Sequence, residues 1–190
     1  MVLHVRGLRL STHPKPRSSR VALRSPVRIA VVTARWNTAV TDRLLRGAVR
    51  AAREAGVPVS RYTVAGAFEL PAAVEMLALT GRFAAIVPLG CLIRGETAHF
   101  DVLSNAVCRA LIDAGIRHAV AVPFGVLTCE TTDQAVARSG GAAGDLGAEA
   151  MAAALGLVAL RQSVVPLAEQ AETSATLTAT PQRERQSRIS

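Results

Sequence analysis

The chain has 190 residues, half of them hydrophobic but only 3% aromatic (four Phe, one Trp, one Tyr), so a core is affordable and must rest on Ala, Val and Leu. No run reaches the roughly 18 to 20 apolar residues of a membrane-spanning helix. Three cysteines without CxxC spacing, Cys91, Cys108 and Cys129, indicate neither a disulfide framework nor a zinc site, and a reducing compartment is the simpler setting.

The net charge of +8 suggests nucleic acid until it is divided along the chain. Residues 1–27 carry six basic and no acidic residues, residues 28–161 carry 13 Arg against 11 acids, and residues 162–190 carry three of each. The excess is a property of a tail. With no aromatic interleaving and a single lysine, a nucleic-acid groove is disfavoured. The first 27 residues, with Pro14, Pro16, Pro26 and several serines, read as a basic disordered tail, and an Arg- and Ser-rich leader without acids also fits an organellar transit peptide. Residues 162–190 read as a second disordered tail.

Between the tails lies one domain, residues 28–161. Ile29 to Val32 is a buried-strand run, and Leu44, Leu45, Ala48, Val49 and Ala52 follow at helical spacing, with Gly56 as the stop. A second strand ends near Val64, and a helix covers about Glu69 to Leu79. Ala84 to Leu92 is a third apolar run. A helical stripe from Val102 to Leu111 is stopped at Gly115, and Ala119 to Leu127 is a fourth strand, opened by His118. A short helix over 133–138 and a last one from about Asp145 to Arg161 complete the domain. Repeated strand–helix units with short connections predict a parallel sheet covered on both faces. Pro88 and Pro123 each delete a ladder donor and are expected near strand ends or bulges.

Ligands of such sheets bind beyond the carboxyl ends of the strands. There the sequence places Arg35-Trp36-Asn37, then Ala65 to Glu69, then Gly90 to His99, and after the fourth strand Pro123-Phe124-Gly125. Trp36, Phe68 and Phe124, three of the six aromatic residues, are thereby expected on one rim, which suits the grip of a planar ring. Gly90-x4-Gly95-Glu96-Thr97 is one residue from a phosphate-loop pattern, but glutamate stands where the lysine belongs, and no GxGxxG occurs, so a nucleoside triphosphatase and a dinucleotide reductase are both disfavoured. Gly95, Glu96 and Thr97 would still open a helix whose free N–H groups suit a single phosphate. His99, in the first turn, is either a proton shuttle or a surface histidine bonded to Asp101. Arg138 is either a ligand for an anion or a solvated arginine, and Glu69 either a pocket residue or a first-turn acid favoured by the helix dipole.

Taken in order, the segments ARWN (34–37), VAGAFELP (64–71), IRGETAHFD (93–101), PFGVLTCE (123–130), DQAVAR (133–138) and GAEA (147–150) resemble the 6,7-dimethyl-8-ribityllumazine synthase family of riboflavin biosynthesis. The resemblance implies an α/β fold, a flavodoxin-like three-layer αβα sandwich on a four-stranded parallel sheet. It implies a transferase that condenses 5-amino-6-(D-ribitylamino)uracil with 3,4-dihydroxy-2-butanone 4-phosphate, releasing phosphate and water, with no metal and no organic cofactor. By position, Trp36 would stack on the pyrimidine, Ala67, Phe68 and Glu69 would line the pocket, and Glu69 would accept ribityl hydroxyls. The backbone of Cys91, Leu92 and Ile93 would read the uracil edge. Gly95, Glu96 and Thr97, with Arg138, would hold the phosphate, and His99 would transfer protons. Phe124 and Arg138 match positions supplied by a neighbouring subunit, making a homopentamer the minimum unit, with a sixty-subunit icosahedral shell as its extension, riboflavin synthase as a further partner and the cytoplasm as the compartment.

One loop departs from the family. Its usual G-x-K-A-G-N-K-G is here Gly140 to Gly147, with Ala142 and Leu146 in place of the lysines and Asp145 in place of the asparagine. Asp145 can still cap a helix. The lost cations predict weaker substrate binding and leave a second reading, a catalytically weak paralogue that binds ligand or forms a shell. A flavin carrier on the same fold is a third.

Overall fold

The computed structural model describes residues 23, 24 and 26–165. The elements are β1 (Ile29–Ala34), α1 (Thr38–Glu54), β2 (Val59–Val64), a 3₁₀ turn (Ala67–Glu69), α2 (Leu70–Leu79), β3 (Ala85–Ile93), α3 (His99–Arg117), β4 (Gly125–Cys129), α4 (Thr132–Arg138), the short strands β5 (Ser139–Gly141) and β6 (Gly144–Asp145), and α5 (Leu146–Val164). The four long strands form one parallel sheet in the order β2-β1-β3-β4. β5 and β6 pair antiparallel as a separate hairpin.

All six residues of β1 are buried, which explains the unbroken apolar run. Alternation then divides them between two cores. Ile29 and Val31 join Leu44, Ala48, Met151, Ala154 and Val158 beneath α1 and α5. Ala30, Val32 and Ala34 join Leu70, Val74, Val107 and Leu111 beneath α2 and α3. The fold is therefore the expected αβα sandwich, and each fully buried Val or Ile of β1 contributes about 1.5–3 kcal/mol of transfer free energy.

Several boundaries differ from the sequence reading. Pro88 lies inside β3, paired in register with Val32, rather than at a strand end. The fourth strand does not run from Ala119: an isolated bridge joins Ala85 to Ala121, and the continuous ladder begins only at Leu89 opposite Gly125. Ile86 N–H donates to Ala121 and Ala121 N–H to Ala84. By the two-residue repeat, the next donors on these facing edges would be residues 88 and 123, which are both proline. The two prolines thus share one gap in one ladder, so β1–β3 pairing is untouched. His118 caps the C-terminus of α3 instead of opening a strand, Gly115 lies within the last turn of that helix, and Ala119 turns the chain with φ 48.

At the domain edges, α5 extends past Arg161 to Val164, the Arg24 N–H donates to the Gln162 side chain at 2.8 Å, and Leu23 and Val27 pack against the first core. The packed structure therefore starts a few residues before Arg28. Of the tails expected over residues 1–27 and 162–190, residues 23, 24, 26 and 27 and 162–165 are described, with Leu23, Val27 and α5 to Val164 packed; the rest, and the leader reading with them, lie outside the described residues.

Candidate active site

The chain leaving β1 is stitched to both neighbouring strand tips. Arg35 N–H donates to the Val64 carbonyl at 2.9 Å and Trp36 N–H to the Ala65 carbonyl at 3.0 Å. Asn37 then takes a left-handed conformation (φ 60), which asparagine tolerates better than most residues, and its side-chain amide donates to the Cys91 carbonyl at 3.1 Å instead of capping α1. The backbone on either side of Trp36 is thus fixed to β2 and β3. The indole itself is 72% exposed, and Phe68 is 62% exposed. Holding two large rings in water on one rim of an aromatic-poor chain marks a contact surface.

Beyond β2, the Gly66 N–H donates to Glu69 Oε2 at 2.7 Å, so one Glu69 oxygen plays the first-turn role that is one of its two readings. A side chain at Gly66 would stand 3.2 Å from that same oxygen and 3.5 Å from the Trp36 ring, which places indole, glycine backbone and carboxylate side by side. The second Glu69 oxygen has no partner among the described residues. Ala67 is buried, and the turn rests on β3 because position 90 is glycine: a Cβ there would meet Leu70 Cδ1 at 2.9 Å and Ala67 Cβ at 3.4 Å.

At the β3 tip, Cys91 is buried, and its carbonyl is the acceptor for Asn37. Burial, with Cys129 close by, pushes its thiol up to about 12, so it stays protonated and is no nucleophile. Leu92 and Ile93 are half-buried. Gly95, Glu96 and Thr97 form the exposed turn before α3 rather than its first residues, and the His99 N–H donates to Thr97 Oγ1 at 3.4 Å. His99 is the first residue of α3, exposed, and its imidazole has no hydrogen-bond partner among the described residues. The bland alternative, a bond to Asp101, is not realised: both Asp101 oxygens are held by Arg94 at 2.8 and 2.9 Å, and that guanidinium keeps the Asp101 carboxyl below its usual range.

Two expected members lie elsewhere in the chain. Phe124 precedes β4 and is level with Pro88, so it stands at the opposite end of that strand, some five residues short of the Ile93 tip, or about 16 Å at 3.3 Å per residue. Reading Pro123 to Gly125 as a strand tip failed because the ladder gap moves the start of β4 past both prolines. Arg138 ends α4, donates to the Ala143 carbonyl at 3.1 Å and pairs with Glu149 at 3.2 Å. Within one chain the structure brings together Trp36, Ala67, Phe68, Glu69, Cys91, Leu92 and Ile93, followed by the turn carrying Gly95, Glu96, Thr97 and His99. It does not bring Phe124 to them, and Arg138 is bonded to its own loop.

A family model described as 6,7-dimethyl-8-ribityllumazine synthase matches residues 26–162. The chain belongs to this family. Among similar proteins, the 6,7-dimethyl-8-ribityllumazine synthase of Methylobacterium radiotolerans is 42% identical over 162 residues, covering 85% of this chain and 95% of that protein. That of Corynebacterium glutamicum is 49% identical over 133 residues (69% and 82% of the two chains). The 6,7-dimethyl-8-ribityllumazine synthase 1 of Caulobacter vibrioides is 46% identical over 136 residues (70% and 89%).

Two of the three departures from the lumazine synthase loop are absorbed by packing and bonding. Leu146 is half-buried against the α1–α5 core, while Asp145 accepts from the Ala148 N–H at 3.1 Å and pairs with Arg50 at 2.7 Å. Ala142 is exposed. Asn37 and Arg94 stand inside the ARWN and IRGETAHFD motifs, where residue type alone assigns neither a role. The signal for Arg94 was present: a cation directly after a buried strand, with acids at 101 and 130. Among the described residues, no three of His, Cys, Asp and Glu converge as a metal-ligand set.

Proposed function

We propose that this chain, as a lumazine synthase, condenses 5-amino-6-(D-ribitylamino)uracil with 3,4-dihydroxy-2-butanone 4-phosphate to give 6,7-dimethyl-8-ribityllumazine, with release of phosphate and water. The observation that carries this reading is the rim itself: an exposed indole beside a half-free carboxylate, and an unpartnered imidazole opening the next helix, in a chain of this family. Trp36 stacks on the pyrimidine, with Ala67 and Phe68 beside it. The free oxygen of Glu69 accepts a ribityl hydroxyl, and the backbone of Cys91, Leu92 and Ile93 meets the uracil edge. The backbone N–H groups of Gly95, Glu96 and Thr97, uncommitted ahead of α3, face the phosphate.

The amine adds to the ketone and water leaves to form an imine. Phosphate is then expelled as a carbon-bound proton is removed, and the second nitrogen closes the ring onto the remaining carbonyl carbon, whose oxygen leaves as a second water. Each step moves a proton, which His99 carries, and none needs a nucleophile from the protein. Positioning two substrates in contact supplies a large share of the acceleration.

Phe124 and Arg138 complete the site from an adjoining copy, with a homopentamer as the unit and a sixty-subunit shell as its extension. Support comes from the distance of Phe124 from its own rim and from the apolar side chains Met76, Leu79, Val102, Ile112 and Ile116 left exposed on α2 and α3. No helix among the described residues is long and apolar enough to cross a membrane, and the three cysteines are free, which favours a reducing compartment such as the cytoplasm. Mixing both substrates with the protein should generate lumazine absorbance and fluorescence. His99→Ala should lower kcat about 100-fold with KM for the uracil substrate little changed; an unchanged kcat would remove His99 from the mechanism.

A further inference from the structure

We infer that Arg94 is a positioning residue for His99, acting through Asp101 and Phe100; the inference rests on the reading of the rim given above. Arg94 is the first residue beyond β3, and its N–H donates to the Cys129 carbonyl at the tip of β4 at 2.9 Å. From that fixed base its side chain makes three charged hydrogen bonds. Nη1 and Nη2 fork onto the two oxygens of Asp101 at 2.8 and 2.9 Å, and Nε donates to Glu130 Oε2 at 2.7 Å. Its Cζ sits 4.3 Å from the centre of the Phe100 ring.

These contacts close a loop. Residues 95–100 run from Arg94 to the residue before Asp101, so the segment carrying Gly95, Glu96, Thr97 and His99 is tied at both ends by one guanidinium. The tie matters because α3 begins without a side-chain cap: Ala98 stands at the N-cap and offers none. An uncapped first turn frays, and His99 is its first residue. The fork on Asp101 and the ring of Phe100 hold the turn where a cap would otherwise do so. An exposed ion pair alone is worth little, but a bidentate fork joined to a second carboxylate and an aromatic face is geometrically specific. The fork also occupies the Asp101 carboxylate, which leaves the His99 imidazole free to face the substrates.

Lysine cannot reproduce this arrangement, since one ammonium does not span a carboxylate fork and a second acid together. The test is a double-mutant cycle with hydrogen exchange. Arg94→Ala should lower kcat about 10- to 100-fold while KM for the uracil substrate, which does not rest on the 95–97 turn, moves less than about 3-fold, and Arg94→Lys should recover only part of the loss. In a His99→Ala background, Arg94→Ala should cost less than about 2-fold, because its effect passes through the missing imidazole. Amide exchange over residues 96–101 should accelerate in Arg94→Ala while that of β1 stays unchanged. Should Arg94→Ala fail to fold, Asp101→Asn, which weakens the same fork from its other end, should give the same pattern. Equal losses of kcat in both backgrounds, an unchanged kcat, or unchanged exchange in residues 96–101 would each overturn the inference. A wild-type protein that makes no lumazine, while Arg94→Ala still loosens residues 96–101, would overturn the reaction assigned to the rim and leave the clamp standing.

Discussion

On one face of the sheet, α1 and α5 meet backbone to backbone: a Cβ at Gly147 would fall on the Leu44 carbonyl, and one at Gly47 would fall on the Asp145 carboxylate. On the other face, α2 and α3 bury Leu70, Val74, Val107 and Leu111 beneath them but leave Leu79 69% and Ile116 74% exposed. The first layer is closed within one chain through most of its length, although the end of α5 leaves Leu157, Leu160 and Val164 uncovered. The second carries apolar surface that none of the described residues covers. Small residues stand where two helices of one chain must touch, and large apolar ones stand exposed on the face where the proposed neighbouring copy would pack.

Substitutions can break this contrast, the largest effect falling on the closed layer. Gly147→Val should force α1 and α5 apart and destabilise the fold by about 3 kcal/mol, read as a lower midpoint in chemical denaturation; an unchanged midpoint would show that the close approach is dispensable. On the open layer, Ile112→Asp with Ile116→Asp should leave the circular dichroism spectrum intact, since exposed substitutions shift stability by only about 0.5 kcal/mol each. The same pair should reduce the sedimenting mass from an assembly to a single chain. Should the mass stay the same, the exposed face is not the one that associates.

The smallest effect concerns the seam between α2 and α3. Glu75 accepts from His118 at 2.7 Å and from Arg117 at 2.9 Å. The His118 bond foremost, with Arg117 adding to it, holds the Glu75 carboxyl below the ordinary carboxylate value. A depressed folded-state value means that the stabilisation is present at neutral pH and is lost as pH falls below about 4.5 through the folded-state value. Glu75→Gln should therefore be less stable than wild type at pH 7, and the two should converge at low pH. A gap that persists at pH 3 would place the effect in packing rather than in charge.

Much of the sandwich was legible in the sequence, because the signals that specify it are local. An unbroken apolar run marked β1, helical spacing marked α1 and α3, and Asp145 stood where a cap is needed. The misreadings share a cause. Whether a proline disrupts a strand depends on which edge its missing donor faces, and Pro88 faces the gap that Pro123 also leaves. Where β4 begins, and hence where Phe124 points, follows from that pairing and not from hydropathy. At the rim, the residue types at positions 36, 69 and 99 stood in their motifs, and the structure places them after β1, after β2 and at the start of α3. The bonds that fix them, from Asn37 to Cys91 and from Arg94 to Asp101 and Glu130, join residues seven to 54 apart in the chain, a range no periodicity records.

The account as a whole depends on a site completed by two copies of the chain. Co-expressing His99→Ala with Arg138→Ala, each strongly impaired alone and each carrying its own affinity tag so that mixed assemblies can be isolated, tests this most directly. Random mixing in a ring restores both contributions at about one site in four, so lumazine formation should return to about a quarter of the wild-type rate. Mixed assemblies no more active than either parent would contradict the shared site.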